Sequence, residues 1–333
     1  MLFHITLPAY NEEEALSSLV EDMGRNGDGN RDFIVIDESL EKHENTLKAL
    51  GQLARPKQWV KNSFVLVGMF FSQSWGQPVL VLKTLMAVLA FCFVSSAIYV
   101  LNDFLDRERD RLHPEKCHRP LASETVSLKA AGMLFLISLL IGLDLGWRVS
   151  NIAVGILLLY VFQNIAYSVR LKQVVMLDVL LIAFGFMLRI LMGTWGVGIP
   201  PSKWLLLSGL TLALFMGFGK RWAELNALVT GTDYHPRPVL KSYSLELLNK
   251  LLGITACAVI LTYSLYALDP STILLHQTSN LIYTLPFVIY GLGRYLYLIR
   301  VGRGGDPTKL VTKDFHIIIA ILLWLVSVLL ILS

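Results

Sequence analysis

Apolar positions in this chain fall into long blocks separated by short polar stretches. Beyond residue 57 nine such blocks recur, at 58–75, 79–101, 128–145, 152–168, 175–195, 204–219, 247–268, 281–299 and 315–332. Each approaches the about 20 residues with which an α-helix crosses roughly 30 Å of hydrocarbon. Lipid offers no partners to backbone N–H and C=O groups, so runs of this kind predict helices. The chain is therefore expected to be an all-α polytopic membrane protein with nine transmembrane helices. The first block is short and is interrupted by Ser63, Ser72 and Gln73.

The first fifty residues read differently. HITLPAYNEEEALSSLVEDM at 4–23, followed by DFIVIDE at 32–38, has the pattern strand, helix start at Asn11, helix and strand. This resembles the opening of a family 2 glycosyltransferase nucleotide-binding domain. A domain of that kind needs on the order of 100 residues to bury a core, and here the pattern ends after about 35 residues and gives way to membrane-like sequence. Residues 1–52 are thus expected to be a glycosyltransferase-like, non-catalytic remnant, in which Asp37 lacks the later acidic residues that would help it hold a metal. Residues 53–333 are expected to form the transmembrane catalytic domain. The start of the chain lacks the basic n-region and long apolar core of a signal peptide.

Composition agrees with membrane usage: 54% of residues are hydrophobic and 16% charged, and the mean hydropathy is +0.58. Cys92, Cys117 and Cys257 are scattered and suggest packing residues, neither a disulfide framework nor a metal cluster. The placement of positive charge says more than its sum. Lys and Arg number six around the loop after the second block, two after the fourth, five after the sixth and four after the eighth, against three (Lys83, Arg148 and Lys203) on the opposite side. That bias alternates through all nine blocks and sets the charged loops in the cytoplasm, at a plasma (inner) membrane. Nucleic acid is not an expected partner; the lipid bilayer is.

The densest charge directly follows the second block, in LNDFLDRERDRLHPEKCHRPLAS at 101–123. Asn102, Asp103, Asp106 and Asp110 are spaced by three and four and share one helical face. Carboxylates crowded in this way repel one another unless a cation sits among them, and oxygen-only ligands suit Mg²⁺, whose shell is commonly completed by substrate phosphates. Topology explains Arg107, Arg109 and Arg111; it does not explain the acidic set. Lys116 and Arg119 are placed to meet phosphate oxygens that the metal leaves free.

The run NDFLDRERD resembles the Asn-Asp-x-x-Asp-x-x-x-Asp signature of the UbiA superfamily of intramembrane prenyltransferases. That resemblance implies a bundle of nine helices around a cavity, with Mg²⁺-diphosphate at its cytoplasmic mouth. HPEKCHRPLAS looks like the branch that transfers phosphoribose to polyprenyl phosphate. RPKQWVKN at 55–62, YSVRLKQVVMLDV at 167–179, GFMLRILMG at 185–193 and GKRWAEL at 219–225 are similar to the same branch. Aromatic prenyltransferases carry a second motif with two or more Asp, where this chain has only Asp178.

The resemblance implies Mg²⁺-dependent transfer of 5-phosphoribose from phosphoribosyl diphosphate to a polyprenyl phosphate. Asp103, Asp106, Asp110 and Asp178 are the expected catalytic residues. Lys61, Asn62, Lys116, Arg119, Tyr167, Arg170, Lys172, Arg189 and Lys220 are the expected phosphate-binding residues. Arg189, three turns into an apolar helix, should face the cavity or a carboxylate; Arg221 reads as a topology anchor. A lipid phosphate is already largely dianionic near neutral pH, so the attack needs no strong general base. The alternative is prenyl transfer to an aromatic or quinone precursor. A transporter fits less well, because transporters place their charges near the bilayer midplane.

Overall fold

The computed structural model describes residues 4–7, 34–114, 116–231, 238–303, 310–311 and 313–332. Among these described residues there are one β-ladder and twelve α-helices. The described residues divide into two compact units, one drawn from Met1–Pro56 with Tyr99–Phe135, the other from Lys57–Ile98 with Leu136–Ser333.

In the first unit, β1 (His4–Leu7) pairs in parallel with β2 (Ile34–Asp37), with His4 opposite Ile34 and Leu7 opposite Asp37. The two strands lie where the sequence pattern sets them, and the helix expected between them falls outside the described residues. α1 (Glu38–Ala54) follows β2 and buries Ala49 and Leu53 against Val100, Leu121, Val126 and Ala131. It ends at Arg55, which has a φ of +52° ahead of Pro56. The left-handed turn stops the helix, and proline at the next position could not continue it with a backbone donor.

The block at 58–75 is not a single α-helix. It winds as a 3-10 helix over Pro56–Leu66 and then as the five-residue α2, Val67–Phe71. Polar anchors and close backbone contact account for the departure. Trp59 Nε1 donates to Ser96 Oγ at 3.0 Å, and Asn62 is fully buried. A Cβ on Gly193 would stand 1.7 Å from the Val65 carbonyl oxygen, so the two backbones touch where only hydrogen fits.

Seven helices among the described residues are long and apolar enough to cross a membrane. They are α3 (Pro78–Leu105), α5 (Leu128–Val149), α6 (Asn151–Val169), the segment Leu177–Val197 that begins with α7 (Leu177–Met192), α9 (Leu245–Leu268), the segment Asn280–Val301 that contains α11 (Leu285–Leu298), and α12 (Phe315–Leu332). The chain is a multi-pass membrane protein. The block at 204–219 lies inside α8, Lys203–Val229, where Lys203 and Lys220 bound an apolar stretch shorter than a full span. With the broken first block, this makes seven clear spans of the nine expected.

Helix starts follow side-chain caps. The backbone N–H groups of Ala153, Leu205 and Leu247 donate to the hydroxyls of Ser150, Ser202 and Ser244, and that of Ile317 donates to Asp314. Asp269 begins the short α10 (Pro270–His276), with proline at its first position. In the second unit one core forms where Phe215, Phe218 and Trp222 of α8 meet Leu248, Leu252 and Val259 of α9 and Leu292 and Tyr295 of α11. Another joins Phe91, Val94 and Ile98 of α3 to Leu157 and Tyr160 of α6 and Leu188 and Met192 of α7.

Candidate active site

The acidic signature spans the end of α3 and the start of α4 (Arg107–Arg111). Asp106 stands between them, but Asp106 N–H donates to Asn102 O at 2.9 Å and Asp110 N–H to Asp106 O at 2.8 Å, so the turn spacing is kept. Asp103 and Asp110 are seven residues apart, two helical turns, and share a face. Both are buried, at 3% and 4% exposure, while Asn102 and Asp106 are half-buried.

Burial of two carboxylates requires compensation, because a desolvated charge is costly unless paired. The HPEKCHRP segment supplies it. It turns back through a 3-10 turn at Lys116–His118, and Arg119 Nη1 donates to Asp103 Oδ1 at 3.0 Å and to Asp110 Oδ2 at 2.6 Å. Arg55 donates to the same oxygen of Asp103 and stacks over the Tyr99 ring, 5.3 Å from its centroid. Arg55 had not been singled out; its signal was a basic residue opening RPKQWVKN. Arg111 bonds to Glu108, Glu124 and the Ala122 carbonyl, which braces α4 against the loop that follows.

The donor chemistry fits a hard divalent cation: oxygens of Asp103 and Asp110 converge on one cationic nitrogen. The guanidinium groups now hold these oxygens. Among the described residues no three His, Cys, Asp or Glu side chains are gathered as a metal group. Asp103 and Asp110 thus form a carboxylate pair compensated by arginine.

The other predicted residues belong to the second unit, apart from the half-buried Lys116. Lys61 is half-buried in the 3-10 helix beside the fully buried Asn62. Asn62 donates to Cys92 Sγ and Ser95 Oγ, each at 3.3 Å, and accepts from Arg189 Nε at 2.8 Å. Arg189 also donates to Gly185 O at 2.8 Å and Tyr160 Oη at 3.0 Å. Its guanidinium lies 4.9–5.4 Å from the ring centroids of Tyr160, Phe91 and Phe186. Arg189 is met by neutral acceptors and aromatic faces, which stabilise a desolvated cation.

Tyr167 lies in the last turns of α6, Arg170 closes it, and Lys172 sits in the turn Leu171–Gln173. Asp178, expected to face substrate, is wholly buried in the first turn of α7. Its Oδ2 stands 3.1 Å from Arg221 Nε, and its Oδ1 accepts from Tyr243 Oη at 2.8 Å. Arg221 is 0% exposed and also pairs with Glu224, so it is an interior cation and not a topology anchor. Lys220, next to it, is half-buried.

Together these features define a multi-pass helical membrane protein with a carboxylate–arginine cluster at the end of one long helix. The profile of the UbiA prenyltransferase family matches residues 62–319. The chain belongs to that family and is a transferase. It is 33% identical over 297 residues to a decaprenyl-phosphate phosphoribosyltransferase of Mycolicibacterium smegmatis, covering 85% of this chain and 92% of the relative. It is 34% identical over 291 residues to the enzyme of the same name from Corynebacterium glutamicum, covering 84% of each. The fold is similar to that of a UbiA homologue from Archaeoglobus fulgidus solved with geranyl diphosphate and Mg²⁺, with a TM-score of 0.62 at 17% identity over 86% of this chain and 99% of the other.

Proposed function

We propose that this protein transfers 5-phosphoribose from phosphoribosyl diphosphate to a polyprenyl phosphate in a Mg²⁺-dependent reaction and releases diphosphate. The observation that carries this reading is Arg119: the segment resembling the phosphoribosyl branch places its arginine on Asp103 and Asp110 of the acidic signature. Two relatives at 33% and 34% identity carry the phosphoribosyltransferase name, and the structural relative was solved with Mg²⁺.

In this reading Asn102, Asp103, Asp106 and Asp110 hold the metal. The metal would supply charge neutralisation at the departing diphosphate. Arg119, Arg55 and Lys116 pair with the diphosphate oxygens, which match a guanidinium fork in geometry and charge. Lys61 and Lys172, with Tyr167, Arg170 and Lys220, orient the phosphates, and the buried Asn62 and Arg189 fix the turn that carries Lys61. The acceptor phosphate attacks the anomeric carbon as a dianion, and no side chain is required to take a proton. The site faces the cytoplasm of a plasma membrane, at the mouth of a nine-segment bundle, and residues 1–52 take no part in catalysis.

The test is direct: purified protein is incubated with Mg²⁺, radiolabelled phosphoribosyl diphosphate and polyprenyl phosphate, and the lipid is extracted. Labelled lipid that disappears on chelation and in Asp106→Asn is expected. Transfer from a prenyl diphosphate to an aromatic acid instead would overturn the reading in favour of aromatic prenyl transfer.

A further inference from the structure

We infer that Asp178 is a positioning residue, which with Tyr243 and Arg221 sets the turn that presents Arg170 and Lys172 to substrate phosphate. The inference rests on the phosphate-binding part of the proposed function, and it gives Asp178 a role other than contact with substrate.

The turn between α6 and α7 runs from Arg170 to Met176, and its last residue has a φ of +67°, a conformation that side-chain-bearing residues seldom adopt. Such a turn persists only where its surroundings hold it. One phenol does so at two points. Tyr243 Oη accepts from the Met176 N–H at 2.7 Å and donates to Asp178 Oδ1 at 2.8 Å, so both capacities of the hydroxyl are used within three residues of chain. Burial and the adjacent carboxylate push the Tyr243 phenol above its ordinary range, which keeps its proton in place to donate.

Asp178 is in turn fixed by Arg221 Nε at 3.1 Å, on a helix whose Phe218, Trp222 and Leu225 belong to the core that also buries Tyr243. The turn Leu171–Gln173, which carries Lys172, packs directly against Pro238–Ser242, which leads into Tyr243. Arg221, Asp178, Tyr243 and Met176 therefore form a continuous chain of contacts from a rigid helix to a strained basic turn. Asp178 has one oxygen hydrogen-bonded by Tyr243 and the other ion-paired with the wholly buried Arg221, so its charge is compensated inside the protein, which leaves the phosphate contacts to the basic side chains of the turn.

The experiment measures binding of inorganic diphosphate with Mg²⁺ to the full chain in nanodiscs, for wild type, Tyr243→Phe, Lys172→Ala and the double variant, with amide hydrogen exchange over residues 170–178. Tyr243→Phe is expected to speed exchange there and weaken diphosphate binding about tenfold, an effect of the size that small displacements of positioning groups produce. In the transfer assay it should raise KM for the donor and leave kcat within about threefold. In the Lys172→Ala background the same change should weaken binding by less than it does in wild type, because one of the two groups it positions is gone. Unchanged exchange, or faster exchange with unchanged diphosphate affinity, would overturn the inference, as would full additivity of the two changes. If Tyr243→Phe does not fold, Asp178→Asn takes its place in the same cycle. A wild type that binds diphosphate and shows the coupling, yet labels no lipid, would count against the phosphoribosyl reading and leave the positioning role standing.

Discussion

A single nitrogen of Arg119 stands 2.6 Å from Asp110 and 3.0 Å from Asp103, so one guanidinium compensates two buried carboxylates nine and sixteen positions earlier in the chain. The consequence is a cluster that is stable as it stands but sensitive to loss of its cation. Removing one partner of a desolvated pair costs more than the pair itself contributes.

Arg119→Ala should lower kcat/KM for the donor by about 2–3 kcal/mol, roughly 30- to 150-fold, the range for truncated charge-assisted contacts. Arg119→Lys should recover only part of that, because an ammonium does not reproduce the guanidinium fork. Steady-state kinetics at saturating Mg²⁺ measures both. Wild-type kinetics in Arg119→Ala would remove this residue from the site.

The interior pair of Asp178 and Arg221 gives a stability prediction of its own. Asp178→Ala leaves a fully buried arginine with less counter-charge and should destabilise the protein by about 3–5 kcal/mol. Asp178→Leu combined with Arg221→Met should be closer to wild type than either single change. Unfolding in detergent by denaturant provides the comparison, and equal losses in single and double variants would contradict it.

Gly193→Ala should abolish folded expression or lower the thermal midpoint sharply, since its Cβ would meet the Val65 carbonyl at 1.7 Å. Gly155→Ala has nothing within 4 Å of the added carbon and lies inside α6. It should be neutral or stabilising by up to about 1 kcal/mol through helix propensity. Thermal melts of the two variants side by side separate steric contact from loss of backbone freedom.

Acid should act at the start of α12. Arg294 donates to both oxygens of Asp314 at 3.2 and 2.9 Å, and this pairing, aided by the Ile317 N–H, holds the Asp314 carboxyl below its ordinary range. A carboxyl with a depressed folded-state pKa adds stability above its unfolded value of about 3.9, and that stability is lost as pH falls through the folded value. Asp314→Asn should therefore melt below wild type at pH 7, with the gap narrowing below about pH 4. A gap that does not change with pH would show the pairing to be electrostatically silent.

Much of the architecture was legible in the blocks of apolar sequence, because lipid enforces helices wherever such blocks are long enough. The acidic signature was legible too, since carboxylates at helical spacing have no role in topology. Spacing alone could not show which of the four turn inward. That is decided by Arg119, which folds back from the loop after α4, and by Arg55, which arrives from a segment distant in sequence. Arg221 was misread because a cation after a hydrophobic block normally anchors topology; only the return of Tyr243 and the start of α7 enclose it. Arg189 was correctly marked as costly in an apolar helix, but its solution is aromatic, and rings from three helices leave no pairing signal in sequence.

The tight winding of Pro56–Leu66 alters how far that segment reaches. At about 2.0 Å per residue a 3-10 helix climbs a third faster than an α-helix. Its 11 residues rise about 22 Å, where the same number in an α-helix would rise about 16.5 Å. The steeper rise sets Lys61 about 10 Å along the segment from Pro56, and a substitution that relaxed the winding to α-helical pitch would draw that lysine back toward Pro56 by about 2.5 Å.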